Sequence, residues 1–199
     1  TAVVIPFRAG KSRLSAARHV RRKLSLAMLA DVLAACLTVA RTTVVTGEEE
    51  AAWLAEAAGA AVAGDPGQGQ GPAVASALEG RRQEAILIVN ADLPCVAPHD
   101  LRSLLAATPI SGIALVEALD GTTNALSLPA PEVFAPLFGP GSADRFRAHA
   151  QRSGLECVSV GLPNVCDDVD TLEDLERLQL RVGPRTQAAL SELEQERVP

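Results

Sequence analysis

The segment Ala85-Ile86-Leu87-Ile88-Val89-Asn90-Ala91-Asp92-Leu93-Pro94 decides the fold class, because its apolar run ends abruptly on a carboxylate and then a proline. An unbroken apolar strand of this kind is typical of a parallel sheet that helices cover on both faces. Such a strand delivers Asp92 to the carboxyl edge of the sheet, where open α/β proteins hold their ligands. The segment therefore predicts an α/β protein with a functional edge at Asp92.

A second acidic cluster lies downstream in Val165-Cys166-Asp167-Asp168-Val169-Asp170-Thr171. In an extended segment, Asp168 and Asp170 project to the same side. Together with Asp92 they supply three carboxylates, and hard oxygen ligands with room left for phosphate oxygens suit Mg²⁺. The two clusters therefore predict a magnesium site formed by Asp92, Asp168 and Asp170, and a reaction of phosphoryl or nucleotidyl transfer.

Each acidic cluster also has a simpler interpretation as a helix cap. An Asp that follows a strand often caps the next helix, and Asp170 or Thr171 is a candidate cap for a helix starting at Leu172. The presence of both clusters in a chain that also carries phosphate-binding signals favours the metal site.

Strand-like and helix-like patterns alternate along all 199 residues, which is typical of one layered α/β domain spanning residues 1–199. A turn at Asp120-Gly121 predicts that two of the strands form an antiparallel hairpin. The predicted strands are 2–5, 42–46, 61–63, 85–89, 112–117, 124–128 and 157–160, and the predicted helices include 24–37, 73–78, 98–107, 132–138, 142–153, 172–180 and 184–196.

Composition excludes several classes of partner and site. The formal net charge of -6 disfavours nucleic acid or an anionic membrane as the main partner, since both require a basic face. The four cysteines lack CxxC spacing, so neither zinc nor a disulfide framework is indicated. Because no apolar run has the length of a signal peptide core or a membrane span, we expect a cytoplasmic protein.

The first phosphate-binding signal is Gly10-Lys11-Ser12 after the first strand. A P-loop needs another glycine five places before Gly10, and that position is Ile5, so a true P-loop is not predicted. The same short loop carries Arg8, Lys11 and Arg13, whose donors can neutralise a triphosphate. The alternative is a solvated basic patch that leads into the arginines of the following helix.

The second phosphate-binding signal is Gly139-Pro140-Gly141-Ser142 before a predicted helix. Its backbone N–H groups and the Ser142 hydroxyl are suited to a second anion, with help from the helix dipole. A plain N-cap at Ser142 is the alternative, and it requires no ligand. The turn Thr122-Thr123-Asn124 offers further hydroxyl and amide contacts.

The order of these motifs resembles one family, the guanylyltransferases that act on phosphoenolpyruvate or 2-phospho-L-lactate in coenzyme F-420 biosynthesis. The resemblance covers nearly the whole chain, and the ordered set is far more specific than any one motif. The matching elements are Val4-Ile5-Pro6 with Lys11-Ser12-Arg13-Leu14, the glycine-rich loop 65–71, Asn90-Ala91-Asp92-Leu93-Pro94, Asp120-Gly121-Thr122-Thr123-Asn124-Ala125-Leu126, Phe138-Gly139-Pro140-Gly141-Ser142, and Asp168-Val169-Asp170-Thr171.

The resemblance implies a fold, an activity and a set of site residues. The implied fold is a single Rossmann-like, GT-A-like nucleotidyltransferase domain, with a mostly parallel central sheet, a hairpin insertion and helices on both faces. The implied reaction transfers GMP from GTP to a small phosphorylated three-carbon acid and uses Mg²⁺. Its product is unstable, which suggests a downstream transferase as a partner. The implied roles are Asp92, Asp168 and Asp170 for the metal, Lys11 with them in catalysis, Thr123, Gly139 and Ser142 for the acid, and Arg8, Lys11, Ser12, Arg13, Asp65 and Gly69 for the nucleotide.

The ending Val182-Gly183-Pro184-Arg185-Thr186 resembles the branch of the family whose acceptor is phosphoenolpyruvate. The chain departs from the family pattern at Gly69-Gln70-Gly71-Pro72, where a Gly-Leu-Asn-Ala type run is usual, and at Phe146, where a histidine is common. These departures concern the guanine contacts more than the metal site.

Two other functions compete with this interpretation. One is a nucleotidyltransferase that acts on a sugar phosphate or a molybdenum cofactor, and the other is a catalytically silent nucleotide-binding scaffold. The small glycine-rich loop at Gly139 disfavours the first, and the complete set of three acidic residues disfavours the second.

Overall fold

The computed structural model describes residues 1–9 and 17–196. The strands are β1 (Ala2–Pro6), β2 (Arg41–Thr46), β3 (Ala61–Gly64), β4 (Ile86–Val89), β5 (Gly112–Glu117), β6 (Thr123–Leu128) and β7 (Glu156–Ser159). The helices are α1 (Arg18–Leu37), α2 (Glu49–Ala57), α3 (Gln70–Leu78), α4 (Pro98–Ala106), α5 (Ser142–Arg152), α6 (Pro163–Cys166), α7 (Leu172–Leu178) and α8 (Pro184–Glu196), and a 3₁₀ turn lies at Pro131–Val133.

The seven strands form one sheet in the order β3-β2-β1-β4-β6-β5-β7. Strand β6 runs antiparallel to both of its neighbours, β4 and β5, while the other pairs are parallel. The predicted hairpin is therefore β5–β6, inserted into an otherwise parallel sheet. Because β6 is reversed, its first residue, Thr123, lies at the edge where the parallel strands end.

Helices cover both faces of the sheet, as the sequence predicts. Alternate side chains of β1 enter different apolar clusters: Val3 and Ile5 join residues of α1, α2 and α4, whereas Ala2 and Val4 join residues of α3 and α5. The period-2 alternation of a strand sends its side chains to opposite faces, so β1 is buried on both sides. The expected α/β class with a mostly parallel central sheet is confirmed.

A third apolar cluster joins the two ends of the chain through α1, α7 and α8. The buried Asp31 of α1 accepts hydrogen bonds from the backbone N–H groups of Arg185 (3.0 Å) and Thr186 (2.8 Å) in the first turn of α8. A carboxylate there satisfies two orphan N–H donors and faces the positive end of the helix dipole. Gly183 packs directly against this carboxylate, and its own N–H donates to the Pro94 carbonyl at 2.7 Å.

The predicted helix at 132–138 is wrong. Only the 3₁₀ turn Pro131–Val133 forms there, and Phe134 is extended at φ -68° and ψ 133°. Pro136 restricts Ala135 before it and has no N–H for a helical hydrogen bond. Conversely, α1 begins at Arg18, earlier than predicted, because Arg and Lys are good helix formers even where no apolar period marks them.

Across residues 1–9 and 17–196, none of the helices combines the length and the apolar character that a membrane crossing requires.

Candidate functional site

A cleft of about 350 Å³ opens at the carboxyl edge of the sheet. Its walls come from the ends of β1 and β4, the start of β6, the loop before α5 and the segment before α7. Most of the predicted site residues that lie in the described part of the chain line this cleft, namely Arg8, Asp65, Asp92, Thr123, Gly139, Ser142, Asp168 and Asp170.

The three predicted carboxylates converge in this cleft. One carboxylate oxygen from each of Asp92, Asp168 and Asp170 lies within 4.8 Å of the others. Strand β4 delivers Asp92, and the backbone N–H of Val169 donates to the Asp92 carbonyl at 3.0 Å, which fixes the second acidic segment beside the first. The segment 167–170 is irregular rather than a strand, but it still brings both of its carboxylates to Asp92.

Burial and mutual repulsion disfavour the ionised forms of two of these groups. Burial, followed by the charges of Asp168 and Asp170, raises the pKa of Asp92 to about 7. Burial also raises the pKa of Asp168, against the opposing effect of a hydrogen bond from Asn124. The Oδ1 atom of Asp92 is buried and accepts no hydrogen bond from any described residue. Such a group needs a cationic partner when it is charged, so the donor set fits a hard divalent cation such as Mg²⁺.

The raised pKa of Asp92 predicts a pH-dependent stability of the metal-free protein. The folded-state pKa is about 7 and the unfolded-state value is about 3.9. The folded state therefore binds the extra proton, so Asp92 lowers stability progressively from about pH 4 to about pH 7, and the full loss persists above pH 7. In a chelator, we expect Asp92→Asn to raise the melting temperature at about pH 8 and to change it little at about pH 4.5. A variant that melts below wild type at pH 8 would contradict this assignment.

Three amide side chains form a chain of hydrogen bonds from Gln70, at the start of α3, to Asp168. The buried Asn124 donates to the Val165 carbonyl at 2.9 Å and to Asp168 Oδ1 at 3.3 Å. Asn90 donates to Asn124 Oδ1 at 3.4 Å, and Gln70 donates to Asn90 Oδ1 at 2.7 Å. No sequence pattern predicts this network, although Asn90 and Asn124 both belong to the matching motifs.

Ser142 is the first residue of α5 and not its N-cap. Gly141 is the N-cap of α5, in the left-handed region at φ 65°, and the hydroxyl of Ser142 donates instead to Thr123 Oγ1 at 3.1 Å. The alternative of an N-cap at Ser142 is therefore wrong.

Thr171 does cap α7, through a capping box with Asp174, which leaves the Asp170 carboxylate in the acidic cluster.

Two of the predicted nucleotide-binding residues, Arg8 and Asp65, lie at the wall of the cleft. The Arg8 guanidinium forms an ion pair with Asp65, with Nη2 2.6 Å from Oδ1, so these two residues bind one another at the wall of the cleft. Gly69 is the N-cap of α3 at φ 113° and, among the described residues, is not part of the cleft lining. The predicted nucleotide-binding residues Lys11, Ser12 and Arg13 lie outside the described residues.

Comparison with known proteins gives concordant results. The MobA-like NTP transferase domain family matches residues 16–160. A phosphoenolpyruvate guanylyltransferase of Roseiflexus castenholzii is 40% identical over 182 residues, which cover 89% of this chain and 85% of the relative. Further relatives with the same name are 35–38% identical.

Two solved structures show the same fold at low identity. A nucleotide-diphospho-sugar transferase of Desulfovibrio desulfuricans G20 has a TM-score of 0.75 at 16% identity and covers 97% of this chain and 94% of its own. Glucosyl-3-phosphoglycerate synthase of Mycobacterium tuberculosis, in complex with Mn²⁺, UDP-glucose and phosphoglyceric acid, has a TM-score of 0.59 at 15% identity and covers 80% of this chain and 68% of its own.

Proposed function

The chain belongs to the phosphoenolpyruvate guanylyltransferases within the MobA-like NTP transferase family, and from this premise we propose that it transfers GMP from GTP to phosphoenolpyruvate. Pyrophosphate is the second product, and enolpyruvyl-2-diphospho-5'-guanosine is the first. The observation that carries the proposal is the convergence of Asp92, Asp168 and Asp170 beside the loop 139–142. We place the nucleotidyltransferase activity in one domain spanning residues 1–199.

We assign the two ends of the cleft to the two substrates. Thr123, Gly139 and Ser142 contact the phosphorylated acid, and the wall with Arg8 and Asp65 contacts the nucleotide together with Lys11, Ser12, Arg13 and Gly69. Asp92, Asp168 and Asp170 hold Mg²⁺, which offsets negative charge on the reacting phosphates when it is bound. The amide network from Gln70 to Asp168 supports this assignment, because it links the residue after Gly69 to the carboxylates.

In the proposed reaction, a phosphate oxygen of phosphoenolpyruvate attacks the α-phosphorus of GTP, and the bond to the leaving pyrophosphate breaks. A phosphate is already a nucleophile at neutral pH, so the protein supplies positioning and electrostatics rather than a general base. The fixed carboxylates and the loop before α5 hold the two reactants in line. We propose that a downstream transferase then consumes the reactive product.

The decisive experiment measures pyrophosphate release with GTP, Mg²⁺ and a panel of phosphorylated acceptors. We expect the highest kcat/KM for phosphoenolpyruvate, with weaker turnover of 2-phospho-L-lactate, because shape discrimination at one carbon gives only about 1–3 kcal/mol. A clear advantage for 2-phospho-L-lactate would change the acceptor. Preference for a hexose phosphate or a molybdenum cofactor precursor would overturn the substrate class, and no release with any acceptor would indicate a scaffold.

Ser142→Ala tests the assignment of the acid subsite. Losing one hydroxyl contact to a charged group costs roughly 1.5–3 kcal/mol, so we expect KM for the acid to rise at least tenfold and KM for GTP to change little. A thermal melt recorded in parallel measures the loss of the buried contact to Thr123. Equal rises in both KM values, with a lowered melting temperature, would show that the hydroxyl is only structural.

A further inference from the structure

One guanidinium group fastens the loop that forms the acceptor side of the cleft. Arg145 of α5 donates to the Leu137 carbonyl from Nε (3.1 Å) and Nη2 (2.8 Å), to the Phe138 carbonyl from Nη2 (3.1 Å), and to the Pro140 carbonyl from Nη1 (2.7 Å). Hydrogen bonds from a charged donor are roughly twice as strong as neutral ones. Three carbonyl groups within four residues are thus held by a single side chain.

The orientation of these carbonyls fixes the direction of the neighbouring N–H groups. The peptide bonds of the described chain are trans, and in a planar trans peptide the C=O and the following N–H point in opposite directions. Because the carbonyls of Phe138 and Pro140 turn toward Arg145, the N–H groups of Gly139 and Gly141 turn away from it. In the described part of the chain, no backbone or side-chain atom accepts a hydrogen bond from either N–H group.

One of these two unpaired N–H groups belongs to the cleft. Phe138, Gly139, Pro140 and Ser142 line the cleft, whereas Gly141 and Arg145 do not. The loop therefore presents its carbonyls to the arginine and leaves the Gly139 N–H as a donor at the cleft. A backbone N–H group held in a turn of this kind is suited to binding an anion.

The hydrogen bonds from Arg145 hold a loop whose backbone occupies a sparsely populated conformation. Gly139 and Gly141 have φ angles of 115° and 65°. Only glycine adopts the first readily, and glycine also allows many alternatives. Arg145 Nη2 lies 3.4 Å from the position of a Cβ on Gly139, so the guanidinium closes the outer side of the turn. Phe146, which follows Arg145 in α5, packs edge-on against Phe138, and their ring centroids are 5.2 Å apart.

We propose that Arg145 is a positioning residue for the acceptor subsite: it fixes the peptide planes of residues 137–141 so that the Gly139 amide meets an anionic group of the phosphorylated acid. This inference rests on the proposed function for the identity of the acid. Arg145 acts through the loop and does not touch the substrate.

The test compares Arg145→Met with Arg147→Met, using Arg145→Lys as the conservative variant. Arg147 lies two residues away on α5 and pairs with Asp144 and Glu117, but it contacts no carbonyl of the loop. We expect Arg145→Met to raise KM for phosphoenolpyruvate about tenfold or more, as when a charged hydrogen bond is lost, with KM for GTP within about twofold. Arg145→Lys should recover part of the loss, and Arg147→Met should change neither KM.

Calorimetric titration of phosphoenolpyruvate into nucleotide-free protein gives a second readout, in which Arg145→Met should weaken binding by the same factor. Equal changes in both KM values, the same effect from Arg147→Met, or unchanged binding by a folded Arg145→Met variant would overturn the inference. If wild type does not use phosphoenolpyruvate, the proposed function fails at that point. The same variants are then compared with whichever phosphorylated acceptor the panel identifies, so the inference is still tested.

Discussion

Asp92→Ala, Asp168→Ala and Asp170→Ala are each expected to lower the rate of pyrophosphate release by about 100-fold or more, which is the effect of losing one preorganised electrostatic group. The reason is the convergence of the three carboxylates on one point within 4.8 Å. Folding should survive, because in the absence of a cation these groups repel one another. The measurement is kcat/KM with GTP and phosphoenolpyruvate at saturating Mg²⁺, accompanied by a thermal melt.

The neighbouring carboxylate gives a matched control for this experiment. Asp167 precedes Asp168, but its carboxylate is not part of the acidic cluster and pairs instead with Arg177 at 3.0 Å and Arg181 at 3.1 Å. Asp167→Asn should therefore leave kcat/KM within about twofold, because it removes no carboxylate from the cluster and breaks only ion pairs to two arginines that are each more than 40% exposed. Near wild-type activity in a folded Asp92, Asp168 or Asp170 variant would remove that residue from the metal site.

Gly183→Ala is expected to cause the largest loss of stability, about 2–4 kcal/mol. A Cβ at this position would lie 2.4 Å from Cγ of Asp31 and under 3 Å from both of its carboxylate oxygens. The carboxylate cannot retreat without releasing the N–H groups of Arg185 and Thr186. The melting temperature should fall by about 5–15 °C, given that 1 kcal/mol corresponds to roughly 2–4 °C in a chain of this size.

Gly161→Ala is the control, because no atom of residues 1–9 or 17–196 lies within 4 Å of a Cβ built there. It should melt within about 2 °C of wild type, the size of an ordinary surface substitution. If both glycine variants melt alike, the contact of Gly183 with Asp31 does not stabilise the attachment of α8.

The sheet and its edge were predictable because both follow from local pattern. The apolar run at 85–89 predicts a strand buried on both faces, and β4 is that strand. The same run places Asp92 at the sheet edge, and the second acidic segment comes to meet it. Chain order and strand periodicity were sufficient for these features.

The missed features depend on partners far apart in sequence. Asn124 reaches Asp168 across 44 residues, and Asp31 reaches Thr186 across 155 residues. No periodicity signals such pairs, because each depends on how the elements pack. The contacts of Arg145 are short-range but have no sequence signal either, because the side chain can reach these carbonyls only when the segment predicted to be a helix at 132–138 is irregular instead.

The contact between Asp31 and α8 has a consequence for folding of the protein during its synthesis on the ribosome. Domains begin to fold from the N-terminus while synthesis continues, but the residues that satisfy Asp31 follow it by 154 and 155 positions and are made much later. Until they emerge, Leu24 and Met28 of α1 lack the Ala189 side of their cluster. A nascent chain that stalls before residue 183 therefore leaves an apolar helix face uncovered, and we expect chaperones to bind it there.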